Sequence, residues 1–471
     1  MSDPAALTEL SDLLGPTSVL TDPAELTGHV TPWRGPVGEA SAVVFPSDTG
    51  QVRQVVGWAR RHRVRLIPQG ANTGLVGAST PPPGSRAVVL STDHLRGSLH
   101  VDPVDRTAVA HAGVRLSELN RAAEPHGLHL PIDLAADPSL GGMVATNTGG
   151  TRMLRHGDMR TSLLGLRAVL ADEGASVVDE LTTLRKHNVG PSVGELLVGA
   201  GGAFAVITEV AVQLRRIPDH RVCAWLAPRS TGDVIPSLQL AETHCAAELS
   251  AFEVVSAAAL DAACALDSVT VRPFGSTPPP THSVLVELEG AADVEARLVD
   301  LLARLDERGH LTDAVVMPSG DAWAVRHGIT EGLSHRGTVV GMDVSVPRPR
   351  LPELIERVRR TIAGSFPGAE LCDFGHWGDG GVHCNVVFPD PSLVPPDQHT
   401  RRALRDLVLD IVDGLGGSFS AEHGIGPWNA DRWRRATSAG TRVALRALAQ
   451  AADPLGIMGH PGLPYVDGQG I

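Results

Sequence analysis

Between Arg221 and Met317 the apolar residues change period in an order that few folds accommodate. Val222–Leu226 reads as a strand, Val234–Glu242 as a helix, and Leu249–Val255 and Ser283–Glu289 as two further strands. A helix follows with Leu298, Leu301, Leu302 and Leu305 on one stripe, and Asp313–Met317 closes the series as a strand. Strand, helix, strand, strand, helix, strand is the split arrangement of ferredoxin-like sheets, so this stretch is predicted to form one such sheet. Thr277-Pro278-Pro279-Pro280 fits a surface connection inside it, since proline cannot donate to a ladder.

The chain before Arg221 has another rhythm. Ala42–Phe45 is a short apolar strand ended by Pro46, and Ser47-Asp48-Thr49 are good helix caps. Val52, Val55, Val56 and Ala59 then recur at helical spacing, and Val64–Ile67 is a second strand, which completes a β-α-β unit. Ala87–Leu90, Thr107–His111, Leu164–Leu170 and Ala203–Leu214 read as strands, and Leu116, Leu119 and Ala123 mark a helix. After Pro389 the pattern is mainly helical, over Arg402–Val412 and Ala444–Ala452. A length of 471 residues suggests about three structural units.

Composition excludes several classes. Hydrophobic residues make up 42% and charged residues 20%, enough for a sizeable core. Forty basic against fifty-three acidic side chains give −13, which argues against nucleic acid or an anionic membrane as partner. Lys186 is the only lysine, and GxxxxGK[ST] does not occur. The five cysteines never form CxxC, so a disulfide scaffold or zinc knuckle is not expected. MSDPAALTEL lacks a signal-peptide pattern, and no apolar run approaches the roughly 20 residues that span a bilayer. The expectation is a cytoplasmic protein without a membrane span.

Two tracts of small residues invite a ligand. The first is Pro68-Gln69-Gly70-Ala71-Asn72-Thr73-Gly74-Leu75-Val76-Gly77, directly after a strand, where glycine lets backbone N–H groups approach phosphate oxygens. The second is Pro138-Ser139-Leu140-Gly141-Gly142-Met143-Val144-Ala145-Thr146-Asn147-Thr148-Gly149-Gly150. A tight turn and close helix packing explain each tract alone; together they favour an extended, phosphate-bearing cofactor. GxGxxG is absent, which disfavours a Rossmann site.

The strongest chemistry lies in Gly375-His376-Trp377-Gly378-Asp379-Gly380-Gly381-Val382-His383-Cys384-Asn385. Asp379-Gly380 is turn chemistry that folds His376 and His383 back toward each other, and His383 and Asn385 share one strand face. Two imidazoles and an oxygen donor suit a zinc-like ion, although a structural histidine pair remains open. In Ser420-Ala421-Glu422-His423-Gly424-Ile425-Gly426, Glu422 can supply a carboxylate ligand and His423 a general base. A helix cap with a solvated histidine is the alternative there. Gly190-Pro191-Ser192-Val193-Gly194 fits GxSxG, but Arg185-Lys186-His187-Asn188 before it is too polar for the buried strand a nucleophile elbow needs.

With these motifs in place, the chain resembles the FAD-dependent D-2-hydroxyacid dehydrogenases of the D-lactate and D-2-hydroxyglutarate type, in the vanillyl-alcohol-oxidase-like flavoprotein superfamily, from about Val43 to Pro461. PQGANTGLVG resembles the family's pyrophosphate loop, and Gly141 to Arg160 its second flavin segment. The resemblance implies an α+β fold: a two-lobed FAD-binding domain of the vanillyl-alcohol-oxidase/p-cresol-methylhydroxylase type, a ferredoxin-like substrate (cap) domain, and a C-terminal helical segment. The boundaries expected are 1–217, 218–424 with the metal site, and 425–471 returning to the FAD domain. It implies non-covalent FAD held by Pro68, Gln69, Gly70, Ala71, Asn72, Thr73, Gly74, Gly77, Ala78, Pro138, Ser139, Gly141, Gly142, Thr146, Asn147, Gly149, Gly150 and Ile207. It also implies a divalent metal, zinc, on His376, His383 and Glu422, with His423 as base.

The family's W-x-x-R element is matched by Trp323 to Arg326, so Arg326 and Thr330 are implied to clamp the substrate, with Asn385 as the polar residue beside His383. Two departures, at Gly341 and at Gly199–Phe204, and one lactate-type feature stand out. Hydroxyglutarate-type members carry a lysine where this chain has Gly341, two residues before Asp343. His327 after the arginine looks more like the lactate type. Gly199-Ala200-Gly201-Gly202-Ala203-Phe204 replaces the common GSEGTLG. A monocarboxylate such as D-lactate or a longer analogue is therefore expected over D-2-hydroxyglutarate. Oxidation of a non-carboxylate alcohol in specialised metabolism, and a non-catalytic flavin protein, are the alternatives. A small-molecule 2-hydroxy acid or related alcohol and an unidentified electron acceptor are the expected partners, and a homodimer is compatible with the sequence.

Overall fold

The computed structural model describes residues 4–275, 277–393 and 398–464, so residues 465–471 of the expected C-terminal segment lie outside it. The chain forms two compact units. One comprises the residues up to Thr148, Asp158–Ile217 and those from His423 on; the other comprises Gly149–Gly157 and Pro218–Glu422.

Two main sheets of the first unit carry separate apolar clusters, beside a two-stranded pair of Leu128–His129 with Arg215–Arg216. In one, Ala42–Val44, Val88–Ser91 and Leu66–Gln69 pair in parallel. Parallel neighbours need a crossover, here the helix Thr49–His62, which buries Val52, Val55, Val56, Trp58 and Ala59. Asp48 caps it by accepting from Gln51 N at 2.8 Å, and Arg63 ends it in a left-handed conformation. The strand Leu66–Gln69 delivers the first glycine tract at its C-terminal end. The other sheet is antiparallel, in the order Leu99–Asp102, Thr107–His111, Ala205–Gln213, Leu163–Leu170, Val177–Asp179. Residues 423–464 fold with this unit: Leu66 N donates to Ile457 O and Gly459 N to Leu66 O, at 2.7 and 2.8 Å.

The second unit is built on a seven-stranded antiparallel sheet. Its order is Leu311–Met317, His220–Pro228, His282–Gly290, Leu249–Ser256, Glu370–Gly375, Gly381–Phe388, Thr338–Ser345. The first four, numbered by chain position, run fourth, first, third, second, which is the ferredoxin-like order expected from the periodicity. The helix Ala257–Cys264, not foreseen, sits between the second and third strands without disturbing that order. The helices Pro4–Leu14, Pro23–Val30, Ser319–Arg336 and Leu351–Ser365 were also not foreseen.

Buried carboxylates tie Gly149–Gly157 to the sheet of the second unit. Glu287 has no exposed side-chain surface and accepts from Arg152 Nε, Ser250 Oγ and Trp323 Nε1, each at 2.7 Å. Glu289, on the same strand, meets His156 Nε2 at 2.5 Å and Arg155 Nε and Arg221 Nε at 3.2 Å. Burial alone would raise the pKa of Glu289, but His156, Arg221 and Arg155 outweigh it and hold the group at about 2.

Because that pKa is depressed below 4.5 on folding, its stabilisation is complete above 4.5 and lost as pH falls through about 2. Glu289→Gln should therefore cost stability at neutral pH, by about 3–5 kcal/mol if the cations are left unpaired. Urea titrations over a pH series should show the gap to the parent protein shrinking only below about pH 5; a gap constant down to acid denaturation would contradict this.

Candidate active site

The two glycine tracts, about 70 residues apart in sequence, touch each other in the first unit. A Cβ on Gly70 would lie 2.3 Å from Ser139 Oγ and 3.4 Å from Gly142 Cα, so only glycine lets them lie side by side. Ser139 accepts from Gly142 N at 3.3 Å and starts the helix Leu140–Thr146, and buried Pro138 precedes it. Gln69, nearly fully buried, is committed to the fold: Nε2 donates to His29 O and Ser79 O at 2.8 Å. Asn72, at φ 55°, donates to Gly28 O and Thr31 O and accepts from Ser79 Oγ. These two side chains shape the loop, in which Ala71 and Thr73 are half-buried and Gly74 is exposed. That side-chain-poor loop fits a cofactor pyrophosphate.

Other members of the expected set also make packing contacts or internal hydrogen bonds. Gly141 abuts Ala112, where a Cβ would come within 2.6 Å. Ile207 is a core residue and Ala78 packs against the same cluster. Thr146 Oγ1 donates to Gly142 O at 2.9 Å, and Asn147 bonds Asp158 and the amide of Arg160. Gly77 is buried at φ 71°. Pro68 lies against Gly202 of the divergent segment, whose Gly199 and Gly201 amides donate to Val144 O and Ala145 O. Gly149 and Gly150 group with the second unit.

The second unit gathers the imidazoles and carboxylates. The strands Glu370–Gly375 and Gly381–Phe388 are joined by a turn in which the amides of Asp379, Gly380 and Gly381 all point at His376 O, at 3.0–3.1 Å. Gly380 has φ 99° and would place a Cβ 2.7 Å from Val346 O, so no side chain is tolerated there. This turn brings the His376 and His383 rings to 5.4 Å, nearly perpendicular. His376 Nε2 and His383 Nε2 both face Glu422 Oε1, at 3.7 and 3.4 Å. Ligand atoms about 2.0–2.1 Å from a tetrahedral zinc ion are about 3.3 Å apart, so both histidine–glutamate distances are of the size a shared ion requires.

Two acidic residues not singled out from the sequence hold the cluster. Asp343 lies opposite His383 across the strand pair, with Oδ1 3.6 Å from His383 Nδ1. Its Oδ2 accepts from Ala421 N and Glu422 N at 3.0 and 2.8 Å, which fixes the backbone that carries Glu422. One ligand atom each of Asp343, His383 and Glu422 falls within 4.8 Å of the others. Glu253 bonds His376 Nδ1 through Oε1 at 2.5 Å and Arg326 Nε through Oε2 at 2.7 Å. Burial would raise its pKa, yet His376 and Arg326 hold it at about 2, and Glu253 in turn keeps the His376 pKa well above the usual value against burial. A lone charge inside the apolar strands LSAFEVVS and TVVGMDVS was the available signal for both residues, since a buried charge requires partners.

Arg326 is 6% exposed, on the helix Ser319–Arg336, with its guanidinium 4.7 Å from the Phe374 ring centre. Thr330 is one turn further along and exposed. Asn385 shares the His383 face and is paired across the sheet with Gly341. His423, half-buried, follows Glu422 directly in the chain.

The architecture defines a flavin-oxidase fold of the p-cresol methylhydroxylase type. A solved p-cresol methylhydroxylase with substrate bound superposes with TM-score 0.79 at 15% identity, covering 99% of this chain and 97% of its own. The chain belongs to the FAD-linked oxidases: residues 40–178 match the FAD binding domain family and 217–462 the family described as FAD linked oxidases, C-terminal domain. It is 31% identical to D-2-hydroxyglutarate dehydrogenase of Stutzerimonas stutzeri (strain A1501), over 98% of this chain and 99% of the relative. It is 33% identical to the mitochondrial D-2-hydroxyglutarate dehydrogenase of Bos taurus, over 94% and 80%. The cofactor is FAD.

Ser192 of the GxSxG segment caps the helix Val193–Leu197 and bonds Glu180 Oε2 at 2.6 Å. Ser192→Ala should cost about 1 kcal/mol of stability and leave turnover within experimental error in a steady-state assay. Loss of turnover in a folded, FAD-loaded variant would contradict the capping role.

Proposed function

We propose that the protein oxidises the secondary alcohol of a D-2-hydroxy acid to the 2-oxo acid, as an oxidoreductase acting on CH–OH groups. The convergence of His376 Nε2 and His383 Nε2 on Glu422 Oε1, at 3.7 and 3.4 Å, carries this reading. It is the donor set an alcohol-activating metal needs. His376, His383 and Glu422 would hold zinc. Bound zinc supplies a Lewis acid for the hydroxyl oxygen, and bound FAD supplies the hydride acceptor.

The remaining work falls to side chains of this chain. Arg326 receives the substrate carboxylate, since its Nε is committed to Glu253 and its two Nη groups form a fork. Asn385 and Thr330 orient the bound acid by hydrogen bonds. His423 takes the hydroxyl proton as general base.

The substrate side is read from Gly341. A missing lysine removes a charge-assisted hydrogen bond worth roughly 1.5–3 kcal/mol, about ten- to a hundredfold in binding. D-lactate or a longer monocarboxylate should then be used in preference to D-2-hydroxyglutarate. One observation favours a second reading: Arg405 Nη1 lies 3.2 Å from Gly341 O, near where that lysine would start. The names of the hydroxyglutarate relatives point the same way.

Two measurements test these statements. His376→Ala should remove bound metal and lower turnover by at least about 10²–10³-fold while FAD remains bound; unchanged turnover would sink the metal reading. Comparing kcat/KM on D-lactate, longer D-2-hydroxy acids and D-2-hydroxyglutarate should place the monocarboxylates first. A preference for hydroxyglutarate that disappears in Arg405→Ala would assign the second cation to Arg405 instead.

A further inference from the structure

Glu253 is the only charged residue of the strand Leu249–Ser256, all of whose residues are buried. Its two oxygens are divided between groups of different purpose. Oε1 meets His376 Nδ1, whose ring presents Nε2 toward Glu422, and Oε2 meets Arg326 Nε, whose guanidinium plane is backed by Phe374.

As a metal ligand the imidazole must be neutral, with one N–H and one lone pair, so the second proton that Glu253 and Glu422 favour on the ring is displaced on ligation. A carboxylate at Nδ1 accepts the N–H there and so leaves the lone pair on Nε2, the only nitrogen facing the candidate ligand set. The same carboxylate holds the Nε corner of the guanidinium, so rotation about its long side chain is restrained. The corresponding contact at the second histidine is looser. Asp343 Oδ1 is 3.6 Å from His383 Nδ1, and Oδ2 is engaged by two backbone amides.

We infer that Glu253 is a positioning residue: one buried carboxylate sets both the tautomer of the metal-binding His376 and the orientation of the substrate-binding Arg326. The inference rests on the metal-site reading above. It makes a specific prediction for glutamine, which matches glutamate in shape but offers one acceptor and one donor. If the amide oxygen faces Arg326, the amide N–H faces His376 Nδ1 and drives the ring proton to Nε2, where it blocks ligation. If the amide is flipped, two donors confront each other at Arg326 Nε. In either orientation one partner loses its acceptor.

Glu253→Gln should be purified with FAD bound and its zinc affinity measured by competition with a chromogenic chelator, beside the parent protein. The expected result is a zinc dissociation constant raised about 10–100-fold, with FAD content retained and turnover partly recovered by excess zinc. A merely structural lesion would lower FAD content and would not respond to zinc. If Glu253→Gln does not yield folded protein, Glu253→Asp is measured in the same way. It keeps the charge but withdraws the carboxylate by one methylene, so it cannot span both partners, and its zinc affinity should also fall. Zinc binding as tight as the parent's in whichever folded, FAD-loaded variant is measured would overturn the inference. A parent protein that binds no zinc would overturn the metal-site reading and this inference with it, so the two failures are distinguishable.

Discussion

An ionised carboxylate inside a sheet survives only when its oxygens find cations or N–H donors, and the second unit is organised around that requirement. Glu253, Glu287 and Glu289 stand on the neighbouring strands Leu249–Ser256 and His282–Gly290, each at most 1% exposed. Their partners come from distant parts of the chain. Arg152, Arg155 and His156 belong to the short segment after the second glycine tract, Trp323 and Arg326 to one helix, and His376 to the hairpin turn. The same pairings that make the buried charges tolerable bring chemically useful groups to one sheet.

Register does the rest. Antiparallel pairing sets His383 opposite both Asp343 and Phe374, and Asn385 opposite Gly341, so that ligand, orienting carboxylate and polar neighbour share one face. A slip of one residue would turn all of them to the other face, into the cluster that holds Met342, Val344, Cys384 and Val386. The tight turn at Asp379-Gly380 and the apolar alternation of both strands oppose such a slip. The chemistry of the site is thus protected by the packing of its reverse side.

Much of this was legible in the sequence. The strands Thr107–His111, His220–Pro228, Leu249–Ser256, His282–Gly290 and Leu311–Met317, the ferredoxin-like order, the glycine tracts and the His376/His383 hairpin follow from period, turn residues and proximity along the chain. What escaped has physical reasons. The helix Ser319–Arg336 does bury one face, with Ala322, Val325, Arg326, Ile329 and Leu333, but Arg326 and Gly332 interrupt its apolar character and make the stripe faint in the sequence. The hydrogen bonds from the side chains of Gln69 and Asn72 to His29, Ser79, Gly28 and Thr31 could not be read either, because those partners are set by the fold and not by the glycine loop itself. Glu253 and Asp343 act through contacts across about 80 to 120 positions of chain, which no local pattern encodes, although a solitary charge in an apolar strand does announce that a partner exists.

The central claim is that His376, His383 and Glu422 converge on one metal ion. Anomalous X-ray diffraction at the zinc absorption edge, from crystals of the FAD-loaded protein grown with zinc, tests it most directly. The account predicts one strong peak within about 2.0–2.2 Å of His376 Nε2, His383 Nε2 and a Glu422 carboxylate oxygen. No peak at these residues, or a peak bound by other side chains, would contradict it.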